Sequence, residues 1–286
     1  MHEIIDATSL PNWAYLVPKA IALSAVLFAT LLISVVAAIA IQLWRGQTNL
    51  ELGQYLAWYL VPTTISMILL AILAIFVQAL SLNKYVGWGI MVIYFIARLT
   101  LSNIGFEHPL FLYGRTGGLQ LSDMNGDQIG GAMGWWLRLY WGSIALILAV
   151  LAHLLWRRGT IANLMPRLRR MPARLAGAPG LIMGAGALTA ATTGGFIFYN
   201  TNVLNEYKVR DDRQKELAEY EKKYLKYESV KQPSTTDIVF KVDLYPQERR
   251  MEASGSYKLV NDTGAPLTDL HVRFPDPNIK VLDVLV

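Results

Sequence analysis

Cysteine is missing from the 286 residues, which excludes a disulfide framework, a thiolate metal site and a cysteine nucleophile. Charge is scarce as well, at 16% of residues against 53% hydrophobic, too little for two ordinary soluble domains of this length. The sequence motifs of several enzyme classes are missing too. There is no Walker A loop, no G-x-S-x-G and no dinucleotide fingerprint after a strand. His2-Glu3 opens a run like H-E-x-x-H, but Asp6 stands where the second histidine belongs. The remaining histidines, His108, His153 and His271, are not spaced to share a metal on one helix. Catalysis within these residues is therefore not expected, and neither catalytic, cofactor-binding nor metal-binding residues are assigned.

The apolar residues that are present fall in long runs before about residue 199. A hydrocarbon layer of ~30 Å takes roughly 20 helical residues. Ala20–Trp44 is uncharged and bracketed by Lys19 and Arg45, Leu56–Leu80 carries Trp58 and Tyr59 at one end, and Val86–Leu101 is shorter and holds Arg98. Trp135–Trp156 is edged by Trp135, Trp136, Tyr140 and Trp141, which suit a membrane interface. Ala176–Tyr199 is rich in glycine, and Gly180 and Gly184 have the spacing of a close-packing face, followed by Gly186, Gly194 and Gly195. Tight helix packing is the expected use of these glycines, a hinge or substrate path the alternative.

Net charge is +5, and much of it sits in one stretch. Arg157, Arg158, Arg167, Arg169, Arg170 and Arg174 follow the fourth run with no acid among them. Beside apolar helices, such a loop is a topology signal rather than a nucleic-acid patch, and it belongs on the cytoplasmic side. Five spans then place the N-terminus and the Lys84 turn inside, and the loop Ser102–Gly134 and everything after Tyr199 outside. Acidic residues near the N-terminus (Glu3, Asp6) argue against a signal peptide, so the first run is expected to remain as a span.

Two features of the outer loop invite a metal hypothesis. Asp123, Asn125 and Asp127 match the first ligand positions of an EF-hand, but Gln128 and Gly134 replace the glycine and the bidentate glutamate. A capped turn is expected there instead. Glu107 and His108 are expected to satisfy each other's surroundings by local hydrogen bonds, and His153 to be a packed or interfacial residue.

Beyond residue 200 the composition turns soluble. Leu217, Tyr220, Tyr224 and Tyr227 recur at helical spacing within a stretch of mixed charge, which predicts an amphipathic connecting helix over 205–228, ended by Pro233. Alternating residues predict strands at Ile238–Tyr245, Met251–Val260, Leu267–Phe274 and Ile279–Val286, with a turn at Asn261–Gly264. The expected fold is an α-helical transmembrane bundle of about five spans, then a linker helix and an incomplete antiparallel β-domain. The corresponding regions are 1–199, 200–232 and 233–286. A sheet ending on an exposed apolar strand is unusual, so the C-terminus is expected to be a cut, and the opening residues also read as the interior of a longer protein.

The outer loop reads LSDMNGDQIGGAMGWWLRLYWG. The segment after the last span reads FYNTNVLNEY, then YEKKYLKYESVKQPSTTDIVFKVDLYPQERRMEASGSYKLVNDTG. Together they resemble bacterial fusion proteins joining an ABC-type exporter permease to an extracytoplasmic aminopeptidase-N-like zinc peptidase. The resemblance runs from about residue 80 onward and is most specific over VDLYPQERRMEASGSYKLVN, which is similar to the first strands of the peptidase family's N-terminal β-domain. It implies a permease half in the bacterial inner membrane, working with a second permease half or protomer and a separate ATP-binding-cassette subunit, with no nucleic acid as partner. It also implies a zinc-dependent catalytic domain beyond residue 286, so zinc is expected there and no cofactor in this stretch. A transport-only permease subunit with a non-catalytic β module is the alternative, and a structural or sensory membrane protein the third reading.

Overall fold

The computed structural model describes residues 10–117, 131–156, 164–248, 250–272 and 279–285. The chain divides into two compact units, residues 1–213 and 214–286.

In the first unit, five helices are long and apolar enough to cross a membrane. They are α1 (Trp13–Trp44), α2 (Leu52–Leu80), α3 (Lys84–Asn103), α4 (Gly131–Leu154) and α6 (Ala178–Val203). Each matches an expected run, with ends shifted by up to seven residues. Helix α1 starts at Trp13 and takes in Pro18 and Lys19. Pro62 lacks the N–H that would close the preceding turn of α2, and that turn widens to a π-helix over Tyr55–Leu60. Asn83 caps α3, its side-chain oxygen accepting the N–H groups of Tyr85 and Val86 at 3.0 and 2.9 Å.

Successive helices run in alternating directions. Leu16 near the start of α1 packs with Ala79 and Ala152 near the ends of α2 and α4, and Trp156 lies against them. Lys19 sits over the Trp156 ring at 4.9 Å, and Asn12 donates to the His153 carbonyl at 2.8 Å. Further along, Leu31 and Val35 of α1 meet Leu60 of α2, and Leu69 of α2 meets Trp141 and Ala145 of α4.

The arginine-rich stretch is not simply a loop. Residues 164–175 form α5 (Leu164–Leu175). Its less exposed stripe is Leu164, Arg167, Met171 and Leu175, spaced three or four residues apart, so an arginine occupies the inward face. Arg167 donates to the carbonyls of Ala79 and Leu155 at 2.8 and 2.7 Å, and Arg174 to that of Leu154 at 3.3 Å. These carbonyls lie in the last turns of α2 and α4 or just past them, where no intrahelical N–H remains to reach them. A cation there also meets the negative end of the helix dipole.

Glycine in α6 is used differently from the expected pattern. A side chain at Gly186 would press on Ile147 at 3.1 Å and the Ser143 carbonyl at 3.3 Å, and one at Gly194 would reach Tyr140 at 2.9 Å. Gly184 and Gly195 face open space. The close approach to α4 therefore runs through Gly186 and Gly194, not through a Gly180–Gly184 face.

Helix α7 (Arg210–Tyr224) links the units, shorter than the expected 205–228, and a single 3-10 turn follows at Leu225–Tyr227. The second unit contains a two-stranded antiparallel sheet, β1 (Ser234–Tyr245) and β2 (Arg250–Val260). Its register pairs Ile238 with Tyr257, Phe240 with Gly255, Val242 with Ala253 and Leu244 with Met251, so the expected apolar faces of both strands coincide. Gly255 leaves room for the Phe240 ring, which stands edge-on to Tyr257 at 5.3 Å. The Asn261–Gly264 turn forms, Gly264 taking a φ of 76° and the Asn261 side chain receiving the Thr263 N–H at 3.1 Å.

The expected third and fourth strands do not form among the described residues: 267–272 and 279–285 have no regular structure. Their alternation supplies a face but no ladder partner, and backbone pairing needs both. The sheet that is present is thus a hairpin, not a four-stranded meander.

Candidate functional site

Segment 104–117, between α3 and α4, is fastened to one end of the helical unit, the end away from α5. Trp141 lies buried and shares its indole N–H between the carbonyls of Pro109 at 3.2 Å and Arg115 at 3.1 Å. The Tyr113 ring stands edge-on to it at 5.3 Å and donates its hydroxyl to the Leu69 carbonyl at 2.9 Å. Tyr94 donates to the Tyr113 carbonyl at 2.7 Å. Trp141 is therefore a core residue rather than part of an interfacial belt, while Trp135 and Trp136 are exposed as expected.

His108 is buried at the middle of this segment. Its Nδ1 accepts the Leu110 N–H at 3.2 Å, which leaves the ring proton on Nε2, and Nε2 donates to Asn202 Oδ1 at 3.0 Å. Tyr207 packs edge-on against the ring at 4.7 Å. Glu107 accepts the Arg210 N–H at 3.1 Å and faces the Arg210 guanidinium at 3.9 Å. His108 thus holds the end of α6, where the helix widens to a π turn at Tyr199–Val203, and Glu107 holds the first residue of α7. The expected local hydrogen bonding is present in the Leu110 N–H to His108 Nδ1 bond, and long-range partners, Asn202 and Arg210, add to it. With both ring nitrogens engaged, His108 ties the segment to the end of α6. The Tyr207 phenol is held above its ordinary value by burial and then by the Glu107 carboxylate, with Arg115 and Arg213 opposing.

Next to these contacts, an open cleft of about 670 Å³ lies between the adjoining ends of α4 and α6. Its apolar wall is Met133, Trp136 and Phe196, with the two rings 4.5 Å apart, and its polar rim includes Asn200, Lys208 and Arg213. An apolar floor under a charged rim can seat an amphipathic group. Thr201 also lines it, its hydroxyl 3.3 Å from His108 Nε2.

Deeper in α4, Arg138 is buried. It donates to the Gly134 carbonyl at 2.9 Å and lies 5.3 Å from the Trp135 ring centre, while its Nε has no hydrogen-bond partner among the described residues. No sequence pattern singled it out, although an arginine within an apolar run is such a signal. Among the described residues, no group of three or more histidines, aspartates and glutamates could hold a metal. The Asp123–Asn125–Asp127 turn and His2 lie outside the described residues. His271 rests against the Tyr227 ring at 4.6 Å. Comparison with family models, with curated proteins and with solved structures finds no match to this chain.

Proposed function

We propose that this chain is the membrane-embedded permease half and anchor of an ABC-exporter-type permease fused to a zinc aminopeptidase, the catalytic part lying beyond residue 286. The carrying observation is the run VDLYPQERRMEASGSYKLVN. The sequence resemblance takes it as the opening strands of a β-domain, and it supplies the end of β1 (Val242–Tyr245) and all of β2, which pair antiparallel after five apolar helices. In this reading the chain lies in a bacterial inner membrane with α5 on the cytoplasmic side and the hairpin outside. Its arginines support that orientation, since short basic segments stay inside. Its partners would be the bilayer, a second permease half or protomer, and a separate ATP-binding-cassette subunit. A transport-only permease carrying the hairpin as a binding module is the second reading, favoured by the apolar face that β1 and β2 leave exposed.

The gene product, affinity-purified from its own host membrane with all its native flanking sequence, tests this. An ATP-hydrolysing subunit should copurify, together with chelator-sensitive release of an amino-acid chromophore. ATPase without peptidase activity would select the transport-only reading, and neither activity would remove both.

A further inference from the structure

A second cleft, of about 580 Å³, opens at the C-terminal end of α3. Phe95, Arg98, Leu99 and Ser102 lie three or four residues apart and so share one stripe of the helix. Leu112 and Arg115 close the cleft from segment 104–117. The Arg115 guanidinium reaches Ser102 Oγ at 3.5 Å, and the bond from Tyr94 to the Tyr113 carbonyl at 2.7 Å holds that segment beside α3.

Two guanidinium groups therefore come to one concave site from different parts of the chain. Among the described residues neither forms a salt bridge. Arg98 is half-buried and lies five residues before the end of α3, roughly 7.5 Å along the axis at 1.5 Å per residue. A cation at that depth in an apolar helix calls for a compensating anion. The neighbouring surface is apolar and open: Leu99 is 73% exposed, and Phe95 is exposed beside it. An occupant must supply a negative group at the helix end and hydrocarbon alongside the helix.

We propose that this cleft binds an anionic phospholipid, its phosphate between Arg98 and Arg115 and its acyl chains along Phe95 and Leu99. Guanidinium matches phosphate with paired, charge-assisted hydrogen bonds. A zwitterionic lipid would bring its own cation toward two arginines, so the site selects for net negative charge. A small free anion would leave the apolar wall uncovered. The assignment is independent of whether the chain is a permease.

The test uses the full chain, purified in mild detergent and exposed to equal parts phosphatidylglycerol and phosphatidylcholine, with bound lipid read by native mass spectrometry. Wild-type protein should retain phosphatidylglycerol with a preference of about tenfold or more, the scale expected for charge-assisted contacts. The double variant Arg98→Gln/Arg115→Gln, checked for unchanged helicity and elution, should lose that preference. Arg98→Lys/Arg115→Lys should keep part of it, as point charges without the paired geometry. Equal retention of both lipids by the wild type would overturn the proposal, as would a preference that survives in the glutamine variant. Displacement of the lipid by millimolar inorganic phosphate would reassign the site to a small anion and overturn the lipid assignment.

Discussion

Ile33 on α1 is 68% exposed and Leu244 on β1 is 67% exposed, nearly equal figures with opposite meanings. Ile33 belongs to a helix long and apolar enough to cross a membrane. There hydrocarbon is the solvent and exposure forfeits nothing. Leu244 belongs to a hairpin following a highly charged helix, and leaving such a side chain in water forgoes ~1.5–3 kcal/mol. The helical unit accordingly puts its binding energy into polar satisfaction and close packing. The carbonyls of Ala79 and Leu155 receive Arg167, the loop is tied down by Trp141 and Tyr113, and glycines admit Tyr140 and Ile147. Neither β1 nor β2 contains a buried residue. Exposure acquires a sign only once the solvent is specified.

The largest expected effect lies where the helical unit depends on polar satisfaction. Arg167→Ala removes two charge-assisted hydrogen bonds and leaves two helix-end carbonyls without them, a loss of about 3 kcal/mol at ~1.5–3 kcal/mol per bond. Heat-induced aggregation in mild detergent should move to clearly lower temperature, with Arg167→Lys intermediate. An unchanged transition would mean that the carbonyls are satisfied without the guanidinium.

Packing ranks next. Gly194→Leu forces a side chain into Tyr140 and should cost about 1–3 kcal/mol. Gly184→Ala and Gly195→Ala meet open space and should be neutral or gain up to about 1 kcal/mol through helix propensity. Equal penalties at all three positions in the same melting assay would refute the assignment of Gly194 to the α4 contact.

In the hairpin, the comparison predicts small effects. Phe240→Ala loses the edge-on pair with Tyr257, worth ~0.5–1.5 kcal/mol. Val242→Lys should stay within about 0.5 kcal/mol while reducing self-association in size-exclusion runs. Strong destabilisation by Val242→Lys would indicate that the apolar face is covered and not open to water.

The smallest effect is confined to high pH. The Tyr207 phenol is raised in the folded chain, so the unfolded chain gives up its proton first, near pH 10. Its contribution to stability is complete below that pH and is lost as pH rises toward the folded value. Tyr207→Phe should remove one late step from the ultraviolet phenolate titration and leave stability at neutral pH nearly unchanged. Tyr113, also held above its usual value by burial first and then by Tyr94, should remain as a late step in that variant.

The five apolar helices were legible because length and hydrophobicity are local properties of the chain. Their ends were less so: Lys19 reads as a flank in the sequence but lies inside α1, where its ammonium sits over the Trp156 ring. Helix α5 was hidden by its arginines, which suggested a solvated loop. The stripe of Leu164, Arg167, Met171 and Leu175 carries the helical period once an arginine is allowed on the inward face. Trp141 and Trp136 look alike in sequence, and only the carbonyls of Pro109 and Arg115 distinguish the buried ring from the exposed one. The partners of His108 and Glu107 could not be inferred, because Asn202 and Arg210 are brought near by tertiary folding. In the second unit, alternation identified β1 and β2 correctly and failed at 267–272 and 279–285, since a period of two describes a face but supplies no neighbour.

The proposed orientation puts the arginine helix and the hairpin on opposite sides of one membrane. Because the chain has no cysteine, single substitutions report without background. Ala173→Cys on α5 and Ser234→Cys at the start of β1 are to be treated in intact cells with a membrane-impermeant maleimide. Rapid labelling is expected at position 234, and at 173 only after permeabilisation. Labelling at position 173 in intact cells, or equal labelling at both, would contradict it.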